Sequence, residues 1–440
     1  MTRPAAGSSV AALRAAPGTA QLAPADYAPT PIWGYGAKVP GPEIRIPQGG
    51  ELSRRLINEL PQATTIHWHG IRIDNAMDGV PDMTQAAVLP GESFDYSFRV
   101  PDAGTYWYHP HNRTWEQLAR GLYGALVVVE ETPPDVDADL VLLIDDWRFA
   151  ADATLHESFG SLRDWSHAGR IGNWVTVNGV GEYAQPVKAG ARLRLRLVNV
   201  ANARIFPLVL RGFEARVVAL DGQPLDAPRV VERITLAPAQ RADLIVDVTA
   251  SEGETAHILE EDREGLLAVA DFPVEGRSGR TPGAPLIALP PNPVPRLGDL
   301  DQAPRAVLRM EGGAMGRMSG AMMGGRMMAP RDLAGEGKVW AFNGMAELPE
   351  SPLIAADLGQ TVRIAMINDT AWPHAMHLHG HHFRVIGPEG KGPLRDTTLV
   401  NPDETVEIAF VADNPGDWLL HCHMVEHSAG GMMTWIRVGA

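Results

Sequence analysis

One pattern occurs three times in the 440-residue chain, and this repetition limits the folds that the chain can adopt. In each copy a glycine is followed nine residues later by an asparagine; the copies run from Gly49 to Asn58, from Gly190 to Asn199 and from Gly359 to Asn368. Alternating apolar residues between them predict a strand, and the asparagine predicts a turn. Further strands follow each copy. Because the spacing far exceeds the roughly 20–50 residues of a solenoid repeat, each copy represents a whole β-rich domain.

Turn-forming residues indicate the fold class. The chain contains 45 glycines and 36 prolines, and it shows little helical periodicity. Short strands between such turns predict an all-β protein built from Greek-key β-sandwiches. We expect a poorly ordered Ala/Pro-rich segment over residues 1–25, followed by domains at 26–135, 136–290 and 291–440. The boundaries fall near residues 130–138 and in the proline-rich stretch 289–304.

Charge and cysteine content exclude some classes of partner. A net charge of -15 argues against nucleic acid, which requires a basic surface. No apolar run reaches the roughly 18 residues of a membrane-spanning helix, so we expect no membrane partner. The single cysteine, Cys422, cannot form an internal disulfide and is therefore inert, reactive or a metal ligand. Residues 1–18 lack the apolar core of a signal peptide, which leaves open a cytoplasmic protein or a removed leader.

Paired histidines distinguish the outer copies of the pattern from the middle copy. Where the middle copy has Leu208 and Leu210, the outer copies have histidines, and further histidine pairs end both outer domains: His67 and His69, His377 and His379, His109 and His111, His421 and His423. Side chains two residues apart on a strand point to the same face. Isolated histidines are more often packed or exposed without a metal. Four pairs in register instead predict a metal centre, and imidazole suits copper, zinc, iron or nickel.

Cys422 lies between His421 and His423 and must point to the opposite face of their strand. The thiol therefore binds a different metal from the one that its neighbours bind. Two imidazoles, a thiolate and a thioether form the ligand set of a blue-copper electron-transfer site, here His374, His427, Cys422 and Met432. The backbone itself would then connect the two kinds of metal centre.

These motifs resemble the copper-binding signatures of the multicopper oxidases, a family that includes laccases and bacterial cuprous oxidases. The similar stretches are "HWHG", "HPH", "HAMHLHG" and "HCHMVEHSAGGMM", and the resemblance spans residues 30–440. It implies three cupredoxin domains, with one copper in the third and a trinuclear copper cluster between the first and third. The middle domain would be a spacer without copper. By the same analogy we expect a monomer that is periplasmic or secreted.

The resemblance also implies four coppers per chain and a ligand set. Type 1 copper would be bound by His374, Cys422 and His427, with Met432 rather than Met433 as the axial ligand. Type 2 copper would take His67 and His377. The type 3 pair would take His69, His109, His111, His379, His421 and His423. Electrons from a reducing substrate would then cross Cys422 to His421 and His423, and the cluster would reduce O2 to water.

Proton delivery to such a cluster requires an acid. Asp78 lies nine residues after His69, where members of the family keep a carboxylate, although a turn aspartate is the alternative interpretation. Several relatives carry an acidic residue directly after the last type 1 histidine, whereas this chain has Ser428. The second proton route therefore stays open.

A methionine-rich stretch, residues 310–328, bears on the substrate. Its six glycines argue against a packed helix, since each costs about 1 kcal/mol in a helix interior. Soft thioethers prefer Cu(I), and bacterial cuprous oxidases carry a similar insert. We therefore favour Cu(I) oxidation with laccase activity, through a site formed by Met310, Met315, Met318, Met322, Met323, Met327 and Met328.

Two alternatives to this function remain. The first is a laccase for phenols, in which the methionine stretch is only a linker and Trp372 lines an aromatic pocket or simply packs. A phenol would need access to the edge of His374. The second is a non-catalytic structural relative, which is remote because such proteins lose copper ligands.

Overall fold

The structure, a computed structural model, describes residues 10–280, 285–286 and 288–439. Strands make up most of its regular structure, as expected for an all-β protein. None of the described helices has the length and apolar composition needed to cross a bilayer.

Two four-stranded sheets form the N-terminal third of the molecule. The elements are β1 (Ala11–Ala20), β2 (Thr30–Tyr35), β3 (Ile44–Pro47), β4 (Glu51–Asn58), β5 (His67–His69), a 3-10 turn (Asn75–Met77), β6 (Ser93–Arg99), β7 (Gly104–His109), α1 (Thr114–Gln117) and β8 (Gly124–Val129). The strand orders are β2-β1-β4-β6 and β3-β8-β7-β5. Their inward faces share a core that includes Leu52, Tyr96 and Leu126.

The strand β1 contradicts one expectation. Residues 1–25 were predicted to be poorly ordered, but β1 pairs in parallel with β4 and antiparallel with β2. Leu13 and Ala15 are buried in the core, because alternate residues of the strand point inward. The prediction is therefore wrong for residues 11–20, where alanine content concealed a strand. Residues 1–9 lie outside the described residues.

A six-stranded and a five-stranded sheet form the middle third. The elements are β9 (Ala138–Trp147), α2 (Leu162–Ser166), β10 (Trp174–Val177), β11 (Val187–Ala189), β12 (Arg192–Asn199), β13 (Phe206–Arg211), β14 (Phe213–Leu220), β15 (Gln223–Val231), β16 (Arg233–Leu236), β17 (Arg241–Val248), β18 (Thr255–Glu261) and β19 (Leu266–Arg277). The strand orders are β10-β9-β12-β17-β14-β15 and β11-β19-β18-β13-β16. A separate core fills the space between them and contains Leu208 and Leu210, which replace the histidines.

The C-terminal third has sheets of six and five strands and a two-stranded hairpin. The elements are β20 (Arg305–Gly312), β21 (Ala321–Met323), β22 (Arg326–Met328), α3 (Pro330–Gly335), β23 (Trp340–Phe342), β24 (Ile354–Ala356), β25 (Thr361–Asn368), β26 (His374–Leu378), β27 (Phe383–Gly387), β28 (Gly390–Arg395), β29 (Thr397–Val400), β30 (Thr405–Val411), β31 (Gly416–Cys422), α4 (Val425–Ala429) and β32 (Met433–Val438). The strand orders are β23-β20-β25-β30-β27-β28, β24-β32-β31-β26-β29 and β21-β22. The exact domain boundaries stay a prediction.

The repeated asparagine has the same role in all three copies. The side-chain amide of Asn58 donates to the carbonyls of Gln62 and Val88, and its oxygen accepts from a backbone N–H two residues on. Asn199 and Asn368 make the same three hydrogen bonds with their own neighbours. Each asparagine therefore ties the turn after its strand to a later part of the same domain.

Candidate metal centres

Strand register brings the histidine pairs together. In the N-terminal third His67 lies opposite His109 on β5 and β7, and in the C-terminal third His377 lies opposite His421 on β26 and β31. The two sheets face each other, so that rings from the two thirds stack. The ring centroids of His67 and His379 are 4.0 Å apart. The eight histidines predicted for type 2 and type 3 copper therefore form one cluster.

Two of these imidazoles present a free nitrogen to the cluster. His67 and His377 each donate from Nδ1 to a backbone carbonyl, of Asp78 and Asp396 respectively, at 2.9 Å. This fixes the tautomer and leaves the Nε2 lone pair available. Among the described residues, neither Nε2 atom has a hydrogen-bond partner although both are buried. Unpaired buried acceptors of this kind fit metal ligands.

Other imidazoles of the cluster face each other through Nε2. The distance is 3.1 Å between His379 and His421 and 3.3 Å between His109 and His423. Two nitrogens on one tetrahedral ion, each bound at about 2.0–2.1 Å, are roughly 3.3 Å apart. Burial lowers the pKa of His111 to about 3 and also lowers the pKa values of His109, His379, His421 and His423, which favours the neutral form that binds metals.

Asp78, which was singled out by its spacing, lies inside this cluster. Its Oδ2 accepts a hydrogen bond from His379 Nδ1 at 2.8 Å, and its carbonyl accepts one from His67. The side chain is fully buried. One carboxylate thus contacts a predicted type 2 ligand and a predicted type 3 ligand.

A second carboxylate, Asp396, escaped the sequence analysis because it belongs to none of the histidine motifs. Its Oδ1 lies 3.3 Å from His69 Nε2, and its carbonyl holds His377. Burial raises the pKa of the Asp396 carboxyl, but the Arg241 guanidinium and the neighbouring histidines outweigh burial and hold that pKa well below its usual range. The carboxylate is therefore ionised beside the cluster.

The thiol of Cys422 faces a second group of ligands. Its Sγ lies 3.6 Å from His374 Nδ1 and 3.8 Å from His427 Nδ1, and these two nitrogens are 3.1 Å apart. Met432 is buried in the same core cluster, whereas Met433 is half-buried. Burial raises the pKa of the Cys422 thiol to about 12. A metal ion must therefore displace the thiol proton, and two imidazoles, a sulfur and a buried thioether suit copper.

Comparison with known proteins identifies the family. Three models of multicopper oxidase domains match residues 18–133, 138–255 and 326–440. The chain belongs to the multicopper oxidase family. It is therefore a copper-dependent oxidoreductase that uses O2.

Individual relatives agree with this family over nearly the whole chain. The multicopper oxidase MmcO of Mycobacterium tuberculosis is 32% identical over 91% of this chain and 82% of its own length. The crystal structure of Lac15 from a marine microbial metagenome is 42% identical, with a TM-score of 0.81 over 98% of this chain and 100% of that one. A multi-copper oxidase from Pseudomonas thermotolerans is 34% identical, with a TM-score of 0.85 over 97% and 98%. These likenesses confirm the fold of three cupredoxin-like domains.

In this multicopper oxidase, the imidazoles beside Cys422 are closed to bulky molecules. A phenol would need access to the edge of His374, but His374 and His427 are both 0% exposed. The Nε2 of His374 lies 2.8 Å from Thr370 Oγ1. The Nε2 of His427 donates at 2.7 Å to the carbonyl of His167, which belongs to the middle third. A hydroxyl and a backbone carbonyl therefore cover the two rings, and the access that a phenol would need is closed.

Trp372 helps to close the same region. Its indole N–H donates to the carbonyl of Ala314 at 2.9 Å, and its ring lies 5.3 Å from that of His167. The N–H of Ala314 donates in turn to the carbonyl of Ser166. The start of the methionine-rich stretch is thus held between the middle third and Trp372, which packs rather than lining an open pocket.

The seven methionines of the stretch differ in burial and packing. Met310 lies on β20, is 0% exposed and packs in the core, and its part in a Cu(I) site stays a prediction. Met318, Met323 and Met328 pack around a small apolar cluster under the β21–β22 hairpin. Met315, by contrast, is 77% exposed. Strand pairing and local packing, neither visible in the composition, separate the methionines.

One cavity reaches the histidine cluster, and another lies near the ligands beside Cys422. One of about 210 Å³ is lined by the type 3 candidates His109, His111 and His421, and by Ser428. Another of about 350 Å³ lies beside Thr370 and is lined by Glu311, Met315, Arg317, Asp369, Thr370, Ala371, Pro402 and Asp403. The first connects solvent to the histidine cluster, and the second lies one hydrogen bond from His374.

Proposed function

We propose that this multicopper oxidase binds four coppers per chain and oxidises Cu(I) at the expense of O2, with phenols as slower substrates. Type 1 copper is assigned to His374, Cys422 and His427 with Met432 axial, and type 2 copper to His67 and His377. The type 3 pair is assigned to His69, His109, His111, His379, His421 and His423. Bound copper supplies one-electron transfer at the thiolate site and four-electron reduction of O2 to water at the cluster. By family analogy we also propose a periplasmic or secreted monomer.

The chain connects the two centres covalently. Cys422 and its neighbours His421 and His423 are consecutive residues at the end of β31, and alternate side chains point to opposite faces. The thiol therefore faces His374 while the flanking imidazoles face the cluster. This placement supports an electron path through three residues of backbone.

Asp78 is the group that we assign to proton delivery. Its Oδ2 is bonded to His379 Nδ1, and its Oδ1 lies 3.2 Å from His67 Nδ1. A carboxylate between two candidate ligands can hold a proton next to the place where O2 is reduced. At the position of the second acid, Ser428 lines the 210 Å³ cavity with a hydroxyl. We therefore assign one acid route, through Asp78.

The burial of the proposed type 1 imidazoles is the observation that favours Cu(I) over phenols as the substrate. A planar phenol finds both rings buried, whereas a small ion needs only the 350 Å³ cavity beside Thr370. Three carboxylates line that cavity with one arginine, and they favour a cation. The exposed thioether of Met315 prefers the soft Cu(I) ion. From there Thr370 provides a 2.8 Å contact to His374.

The test of this substrate is a pair of matched substitutions. Met315→Leu removes the thioether from the cavity while keeping an apolar side chain of similar size. We expect kcat/KM for Cu(I) to fall about tenfold, which is a loss of roughly 1.4 kcal/mol, with phenol oxidation unchanged. Met327→Leu changes a methionine that is 69% exposed, similar to Met315, and absent from the cavity lining, and it should have no effect. Equal Cu(I) kinetics for the two variants would contradict a Cu(I) site at Met315.

Phenol oxidation as the main activity is the second candidate, because the half-buried rings of Trp372 and His167 adjoin His427. Trp372→Phe keeps the ring but removes the hydrogen bond to Ala314, a bond worth about 1 kcal/mol. If the hydrogen bond between Trp372 and Ala314 obstructs phenols, kcat/KM for phenols should rise a few-fold in Trp372→Phe. Trp174→Phe, which removes a similar bond to Leu22, is the control. A fall in phenol oxidation would instead indicate that Trp372 binds the substrate.

A further inference from the structure

A buried arginine of the middle third reaches the histidine cluster. Arg241 begins β17, in the part of the chain that carries no candidate copper ligand, and it is 0% exposed. Removing a guanidinium from water is costly unless its donors are satisfied. The partners that satisfy it therefore indicate what this residue does.

Those partners come from all three thirds of the molecule. The Nε atom donates at 3.2 Å to the carbonyl of Thr105 on β7, the strand that ends at His109. Nη1 donates to the carbonyl of Ala239 in the middle third. Nη1 and Nη2 form a two-pronged ion pair with Asp396 of the C-terminal third, at 2.8 and 2.6 Å. One side chain thus joins the two sheets that carry the histidines.

The space around this ion pair explains a glycine of the histidine motif. Gly70 directly follows His69 and has φ +84°, a conformation that L side chains rarely adopt. A Cβ atom at this position would lie 2.3 Å from Arg241 Nη2 and 2.5 Å from Asp396 Oδ2. The ion pair between Arg241 and Asp396 therefore leaves room only for a glycine directly after His69.

Asp396, which Arg241 holds in place, contacts two imidazoles of the cluster. Its carbonyl accepts the Nδ1–H of His377, and its Oδ1 lies 3.3 Å from Nε2 of His69 and 2.8 Å from the Thr397 hydroxyl. We propose that Arg241 is a positioning residue of the oxidase, which fixes Asp396 and through it the rings of His69 and His377. The middle domain would then set the geometry of a cluster to which it gives no ligand.

Loss of the guanidinium should disturb the rings more than the fold. Without Arg241, the carboxylate of Asp396 has only histidines and the Thr397 hydroxyl as partners, so it should turn toward them. Partners of this kind orient metal ligands, and their removal typically costs roughly 10–100-fold in metal affinity or activity. The inference rests on the proposed copper assignment at His69 and His377, but not on Cu(I) as the reductant.

The experiment compares copper-loaded Arg241→Met with Arg194→Met. Arg194 is also buried in the middle third and pairs with Glu130 and Asp243, which among the described residues make no hydrogen bond to a candidate copper ligand. We expect Arg241→Met to change the type 2 copper EPR signal, to weaken copper retention at the cluster and to lower kcat 10–100-fold. The blue absorption of type 1 copper and KM for the reductant should stay constant. Arg194→Met should lower thermal stability without altering the EPR signal.

Other outcomes separate the explanations. An unchanged type 2 signal in Arg241→Met, or the same change in Arg194→Met, would overturn the positioning role. If Arg241→Met does not accumulate, Asp396→Asn breaks the same ion pair from the other side, and an unchanged type 2 signal there would equally overturn it. Unmodified protein that binds copper only at Cys422 would instead refute the copper assignment of the proposed function.

Discussion

Cys422 separates the two metal centres at the scale of one side chain. Its thiol is fully buried and faces His374 and His427, while the adjacent imidazoles face the other way. Cys422→Ser should therefore abolish the blue colour and the oxidase activity, and leave most copper at the cluster. Absorption spectra with copper analysis check this, at four coppers per chain in the unmodified protein and about three in the variant. A single copper in fully loaded protein would refute the oxidase assignment.

Asp78 can be tested at the same scale by removing its charge. An asparagine keeps an oxygen that accepts from His379 Nδ1, so copper binding should persist. The amide cannot hold a proton, and loss of such a group typically costs roughly 10²–10⁴-fold in rate. We expect Asp78→Asn to retain its coppers while type 1 copper stays reduced during turnover, as followed by stopped-flow absorption. Normal reoxidation would return Asp78 to the role of a turn residue.

Single residues also show how far sequence reasoning extends. The shared face of His67 and His69 and the opposite face of Cys422 follow from strand periodicity, which is local. The grouping of His67 with His377 came from the family resemblance. Asp396 could not be found in this way, because its contact with Arg241 joins residues 155 positions apart. The cover over His427 is a backbone carbonyl, which any residue type could supply. Contacts that depend on tertiary packing or on the main chain produce no recognisable sequence motif, so they could not be predicted.

The element that sequence reasoning misjudged is β1. Alanine and proline content suggested disorder, yet the strand completes the sheet between β2 and β4 and buries Leu13. Leu13→Ala should lower the free energy of unfolding by about 2–5 kcal/mol, as expected for a truncated core leucine. Leu89→Ala, at a side chain that is 53% exposed, is the control. Denaturant unfolding that gives equal stabilities for the two variants would indicate that β1 is dispensable.

At the scale of the whole molecule, the middle third does more than separate the other two. The carbonyl of His167 covers His427, which we propose as a type 1 ligand, and Arg241 reaches the cluster through Asp396. The interpretation of this domain as a spacer came from the family resemblance, and it fits the leucines that replace the histidine pairs. Its contacts with both centres depend on how three sandwiches pack together, and strand patterns within one domain do not encode that packing.

Burial of so many imidazoles links the stability of the metal-free protein to pH. Burial lowers the pKa of His111 to about 3 and those of His381 and His427 to about 4, against an unfolded value near 6.5. Below pH 6.5 these histidines therefore bind protons in the unfolded chain but stay neutral in the folded chain. Stability is complete above about pH 6.5 and falls progressively toward pH 3–4, where these rings protonate even when folded.

Copper should shift this dependence, because a metal ion and a proton compete for the same nitrogen. Urea unfolding of metal-free protein at pH 7.5 and pH 5.5 should show a lower free energy of unfolding at the acidic pH, by about 1.4 kcal/mol for each affected ring and each pH unit below 6.5. Copper-loaded protein should be more stable at both values, since the ion binds only the assembled cluster. A smaller loss of unfolding free energy between the two pH values in copper-loaded protein than in metal-free protein would connect the effect to the histidines that we propose as ligands. Equal losses with and without copper would assign it to other groups.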